Sequence, residues 1–259
     1  MKTLALSGGL GNVLFQLNLF YSRRSLFDSL SPEGLHIKML RKVRRLNSPQ
    51  QSSFLKMLGI SCYLKQTPQT LADYFLLGFS RKVDNPVCGR YWNNFIDPID
   101  TTSPVRLFKS YAQYQVPLQD EFIALLKKCL IEPRSHLRSL ASGYDAIGHI
   151  RCGDLSRTVD ISGYYLEAFK IYPNILLVTD DACQASRLFP GLDSSRIISS
   201  RSYLDDFAIL AYANNIVSSN STFAWWAAEL SSACSVVEPY DFRLGSHFKP
   251  ISNRLRHRL

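Results

Sequence analysis

The feature that most restricts this chain is an alternation in its second half. Short apolar runs of strand length at 145–150, 175–178, 196–198, 215–218 and 236–237 are separated by stretches of helical period at 164–172, 182–189, 203–212 and 222–230. Alternation of this kind calls for an open parallel sheet with right-handed crossovers, since parallel neighbours need a connection long enough to return over one face. The predicted class is therefore α/β. Ligands of such sheets sit outside the carboxyl ends of the strands. Three predicted strand ends carry polar clusters: His149 to Asp154, Thr179-Asp180-Asp181, and Ser218-Ser219-Asn220-Ser221-Thr222. Their common edge is the expected binding edge.

The first cluster ends the run YDAIGHIRCGD at 144–154. If Ala146, Ile147 and Ile150 form a buried strand, Arg151 emerges at its carboxyl end, where a fixed cation can meet an anion and Gly153 lets the backbone come close. That outlines a phosphate site. An ion pair between Arg151 and Asp154 at a strand-to-loop corner is the plainer reading of the same residues. Ser221 and Thr222 lie where a strand hands over to the helix holding Phe223, Trp225 and Trp226, so hydroxyls and helix N–H groups converge as in anion sites. Capping by Ser221 is the alternative. Asp180 and Asp181 could hold a ribose or base, bind a cation, or cap the next helix.

The first half is less regular. Leu4-Ala5-Leu6 reads as a strand, Ser7-Gly8-Gly9-Leu10-Gly11 as a tight loop, and Asn12 onward as a helix with Leu14, Leu17 and Tyr21 on one face. The loop lacks the third glycine of a dinucleotide fingerprint, and Asp28 falls within the helical run rather than at a second strand's end. The run IKMLRKVRR at 37–45 reads first as a solvated basic helix face and second as a contact for lipid or nucleic acid. Residues 47–53 read as a loop. A strand at 87–92 would lead into Tyr91-Trp92-Asn93-Asn94-Phe95, an aromatic and amide cluster of the kind that stacks on sugars. A helix from 119 should end before Pro133, and composition changes near residue 140. The expected domains are 1–140 and 141–259, and Arg254, Arg256 and Arg258 read as a frayed basic end.

With 46% hydrophobic residues against 20% charged, the chain is globular rather than disordered. A formal charge of +9 favours anionic partners. The six cysteines stand singly, with no CxxC pair and no zinc spacing, and read as reduced thiols. No window is long and apolar enough for a membrane span, so the expected location is cytoplasmic, with peripheral contact with an anionic membrane surface as a partner that the charge permits. No Asp-x-Asp occurs. Sugar transferases that hold a cation between carboxylates and diphosphate use that spacing, so here arginine and helix dipoles are expected to do the work.

Four ordered blocks carry a resemblance. Gly8-Gly9-Leu10-Gly11-Asn12-Val13-Leu14-Phe15-Gln16, His149-Ile150-Arg151-Cys152-Gly153-Asp154, Thr179-Asp180-Asp181 and Ser219-Asn220-Ser221-Thr222-Phe223-Ala224-Trp225-Trp226-Ala227-Ala228 are similar to motifs of the α-1,2-fucosyltransferases of glycosyltransferase family 11 and their wider superfamily. The pairs Tyr91-Trp92 and Tyr164-Tyr165 also fall where that family has them.

The resemblance implies a GT-B-like fold of two Rossmann-type lobes facing a central cleft, and an inverting, metal-free transfer of fucose from GDP-fucose to a galactose-type hydroxyl. No cofactor is implied. The first lobe would face the acceptor, a galactose-containing oligosaccharide or lipid-linked glycan, with Tyr91 and Trp92 as acceptor contacts. The second would hold the donor. Arg151 is implied as the diphosphate clamp, with Gly153, Thr179, Asp180, Asp181, Asn220, Ser221, Thr222 and Phe223 around the donor and Gly9, Gly11 and Asn12 as a loop near the transferred sugar. Asp154 is the first candidate for the base and His149 the second. Two positions depart from the pattern: Cys152 replaces a second arginine, and Val13 a glutamine. A different linkage or nucleotide-sugar donor, a non-catalytic glycan- or nucleotide-binding relative, and a basic nucleic-acid-binding protein are the competing readings. No nucleic-acid motif supports the last.

Overall fold

A strand at the amino end, β1 (Thr3–Leu6), leads into the helix α1 (Leu10–Ser22). The helix starts at Leu10 rather than at Asn12, because the Gly9 carbonyl already accepts the Val13 N–H at 3.1 Å. Every residue from Val13 to Phe20 is buried. α1 is thus enclosed round its circumference, where the sequence showed only a stripe. The computed structural model describes residues 3–6, 9–22, 29–32, 58, 81–82, 107–109, 118–152, 162–200, 202–239 and 255–258. The basic run at 37–45, the loop at 47–53 and the strand and aromatic cluster expected at 87–95 lie outside them. α1 ends short of Asp28, which is also outside the described residues.

The chain divides into two units, Met1–Phe122 and Ile123–Leu259. In the first, β1 joins β2 (Ser29–Pro32), β3 (Arg81–Lys82) and β4 (Leu107–Lys109) in a parallel sheet of order β2-β1-β4-β3.

The division falls inside α2 (Asp120–Leu126), earlier than the boundary expected near residue 140. The reason is packing. Past α2 the chain runs through a π-helical turn (Lys127–Ile131), a 3-10 segment (Glu132–Leu137) and the short helix α3 (Arg138–Ser142). These segments are tied to the second unit. Arg134 Nε donates to Asp205 at 2.9 Å, Tyr212 donates to the Ile131 carbonyl at 2.8 Å, and the Arg138 guanidinium lies 5.0 Å from the centre of the Tyr212 ring. Pro133 sits in the opening turn of the 3-10 segment, where its missing N–H removes no helical bond.

The second unit follows the expected alternation: β5 (Ala146–Ile150), α4 (Ser162–Ile171), β6 (Ile175–Thr179), α5 (Ala182–Leu188), β7 (Ile197–Ile198), α6 (Tyr203–Ala211), β8 (Asn215–Val217), α7 (Thr222–Leu230), β9 (Ser235–Glu238) and β10 (Leu255–Arg258). All strand pairs are parallel, and the order is β10-β9-β8-β5-β6-β7. Counted from β5, this is the Rossmann order, and the direction of strand addition reverses between β5 and β8.

β5 and β6 are buried at every position, as a strand covered on both faces must be. On one face Ala146, Ile150, Ile175 and Leu177 pack with Tyr165 and Ala168 of α4 and with Ala185 of α5. α6 packs against β5 and β6 and against α7. Gly148 is required by this tight layering, because a Cβ there would stand 2.7 Å from Leu177 Cδ2 and 3.2 Å from Ile175 Cδ1.

The carboxyl-terminal residues correct one expectation. The segment read as a frayed basic end is β10, paired with β9 from Leu255 against Ser235 to Arg258 against Glu238. Parallel pairing uses backbone groups and is indifferent to charge, and basic residues on an edge strand discourage further pairing. Among the described residues, no helix is long and apolar enough to cross a membrane.

Candidate functional site

The reversal point between β5 and β8 brings two of the polar clusters together. His149 lies in β5, 6% exposed, and its Nδ1 is hydrogen-bonded at 2.6 Å to the Ser219 hydroxyl beyond the end of β8. The imidazole also faces the Phe223 ring, with centroids 5.2 Å apart. Phe223 in turn meets Phe207 of α6 edge-on at 5.2 Å. Burial, and secondarily the Arg151 guanidinium, pull the His149 pKa down to about 3. The ring is therefore neutral across the physiological range. Arg151 follows directly after β5 and is half-buried at the carboxyl edge of the sheet.

Beyond β8 the chain makes a tight turn. The Ser221 N–H donates to the Ser219 carbonyl at 2.7 Å, and the Ser221 hydroxyl accepts the Phe223 N–H at 3.2 Å, capping α7. The capping reading of Ser221 is realised. Trp225 and Trp226, 1% and 0% exposed and edge-to-face at 5.3 Å, anchor α7 in the core. The helix N-terminus is thereby held still at the same edge as Arg151. Asn220, Thr222 and Phe223 are partly exposed there.

The third cluster joins the first across β5 and β6. The Cys152 N–H donates to Asp180 Oδ1 at 2.7 Å, and the Thr179 hydroxyl donates to Cys152 Sγ at 3.4 Å. Cys152 is 2% exposed, and burial pushes its thiol pKa up, so it is an inert thiol. Of the two aspartates, Asp181 caps α5 by accepting the Gln184 N–H at 2.9 Å, while Asp180 is exposed and ties the two strand ends.

Ser219 and Tyr164 stand in stretches that the sequence marks, but the sequence gives neither a role of its own. Ser219 stood one position ahead of the residues assigned to the donor, and a run of serines gives no sign of which hydroxyl faces a histidine. Tyr164 OH lies 2.7 Å from the Ser218 carbonyl and 2.9 Å from the Val237 carbonyl, while its neighbour Tyr165 donates to the His149 carbonyl. Gly9, Gly11 and Asn12 belong to the first unit, where Gly9 is exposed and a Cβ on it would meet nothing within 4 Å. Tyr91, Trp92, Gly153 and Asp154 are outside the described residues.

No protein-family model and no curated relative matches the chain. Among solved structures, the chain is similar to NodZ α-1,6-fucosyltransferase soaked with GDP-fucose, with 14% identity and a TM-score of 0.43 over 97% of this chain and 99% of that one. It is also similar to fucosyltransferase NodZ from Bradyrhizobium, with 11% identity and a TM-score of 0.40 over 89% of this chain and 93% of the other.

Proposed function

We propose that the protein is an inverting fucosyltransferase that uses GDP-fucose as donor and a glycan hydroxyl as acceptor. One observation carries this reading: the motif blocks at 149–152 and 219–223, far apart in sequence, meet at the reversal point of a Rossmann-ordered sheet. That is where this architecture holds nucleotides. In the reaction the bond between the sugar's anomeric carbon and the diphosphate oxygen breaks, and the diphosphate keeps the electron pair. The acceptor oxygen bonds to the opposite face of that carbon and gives up its proton. Arg151 and the N-terminus of α7 meet the charge as it develops on the leaving diphosphate.

His149, held neutral by burial, is a poor base near pH 7 and serves to shape the pocket with Phe223. The base is assigned to Asp154. The linkage is the finer part of the proposal: the motif resemblance favours α-1,2, to a galactose-type acceptor. Arginine and the helix N-terminus replace a metal ion in neutralising the diphosphate, and the cytoplasmic setting goes with a lipid-linked acceptor at the inner membrane face.

The test is release of GDP from GDP-fucose by purified protein in EDTA, with galactosyl oligosaccharides as acceptors. Arg151→Ala should lower kcat by on the order of 100-fold or more, and UDP should not compete where GDP does. Product linkage analysis separates α-1,2 from α-1,6. A wild-type protein that neither releases GDP nor is protected by it against heat overturns the donor assignment.

A further inference from the structure

Tyr164 stands beside the proposed donor edge, and the role argued for it rests on that functional reading. At the carboxyl edge the ladder between β8 and β9 ends with the Ser218 N–H donating to the Val237 carbonyl at 2.8 Å. From there the chain must turn toward His149 and then into α7. The Tyr164 hydroxyl, from the first turn of α4, stands at this place, 2.7 Å from the Ser218 carbonyl and 2.9 Å from that of Val237. A single hydroxyl proton is thus shared between two carbonyls of adjacent strands. The Ser218 carbonyl lies in the peptide plane that also carries the Ser219 N–H, so holding one orients the other. Ser219 then makes the 2.6 Å bond to His149, and its own carbonyl takes the Ser221 N–H.

We propose that Tyr164 is a positioning residue for the donor edge: its hydroxyl sets the peptide between Ser218 and Ser219, and through it both the Ser219–His149 pair and the aim of the α7 N-terminus. The ring is placed independently of the hydroxyl. It packs edge-on to Tyr165 at 4.8 Å, and Tyr165 is itself 1% exposed in the core. Tyr164→Phe therefore removes the hydroxyl and keeps the packing. The same helix region supplies a matched control at the other edge, because Tyr172 OH is hydrogen-bonded at 2.8 Å to the hydroxyl of Ser235, the first residue of β9. Tyr172→Phe loses a comparable bond at the amino end of the strands, away from the proposed site.

The experiment compares the full-length wild type, Tyr164→Phe and Tyr172→Phe by thermal unfolding, by 15N NMR of the His149 imidazole, and by calorimetric titration with GDP. Both variants should lose about 2–4 °C in Tm, as for one hydrogen bond in a chain of this size. Only Tyr164→Phe should move the His149 Nδ1 signal, and only it should weaken GDP by about tenfold. In turnover its KM for the donor should rise while that for the acceptor stays at the wild-type value. Wild-type imidazole signals and GDP affinity in Tyr164→Phe would overturn the proposal, as would equal changes in Tyr172→Phe. If the wild type itself fails to bind GDP, the transferase reading falls, and the imidazole signals alone decide what Tyr164 positions.

Discussion

His149 carries a measurable consequence of its burial. In the unfolded chain it takes a proton near pH 6.5, whereas in the folded protein burial and Arg151 hold its pKa at about 3. Between those values the unfolded state binds the extra proton, so stability is complete above about pH 6.5 and is lost as pH falls toward about 3. The contribution lost by about pH 4 is on the order of 3 kcal/mol. Urea unfolding of wild type beside His149→Gln across this range checks it: the variant should show a flatter acid limb, and parallel limbs would contradict the assigned burial. At this scale the sequence was informative about residue types and silent about partners. A histidine two before an arginine at a strand end is legible as part of a site. That its Nδ1 meets Ser219, 70 residues on, is not, because no local pattern records which side chains a sheet edge brings together.

The capping elements separate structural work from ligand work. α5 is a seven-residue helix with few buried positions, so its start depends on Asp181, whose carboxylate accepts the Gln184 N–H. Asp181→Ala should cost about 1 kcal/mol, while Asp181→Ser should recover most of it, since serine caps equally well. The resemblance sets Asp181 beside the donor, whereas the cap to the Gln184 N–H accounts for its carboxylate, so GDP affinity should be unchanged in Asp181→Ser. A fall in affinity with stability retained would instead give this carboxylate a ligand. Element spans were largely legible: Thr222–Leu230 was read in full, since a helix that buries a tryptophan pair announces its period and its serine start. α1 was read with its start late, because a glycine before the helix gives no side-chain cap to recognise. The segment after α2 was harder still, since the π-helical turn and the 3-10 segment that follow it break the 3.6-residue period on which such reading relies.

On the scale of the whole molecule, β10 closes one side of the second sheet. β9 beneath it is buried throughout, with Val236 and Val237 at 0% exposure. Deleting residues 255–259 should uncover that edge, lower the Tm by several degrees and promote self-association; light scattering and thermal unfolding of the truncated chain check this, and an unchanged monomer with the wild-type Tm would show that the pairing contributes nothing. The strand is illegible in the sequence because Arg254, Arg256 and Arg258 read as solvated charge, and a short edge strand needs no hydrophobic alternation when its backbone is satisfied by a neighbour. The α/β class, the succession of strands and helices from residue 145 to 238, and the chemistry available at three strand ends are legible in the sequence alone, since period and residue type are local properties. The tertiary structure alone decided that β8 and not β6 supplies the partner of His149, that the reversal of strand order falls there, and that a tyrosine from α4 spans to Ser218 and Val237. Those are matters of strand order, which is set by how faces are covered and edges paired over the whole sheet rather than by any stretch of chain.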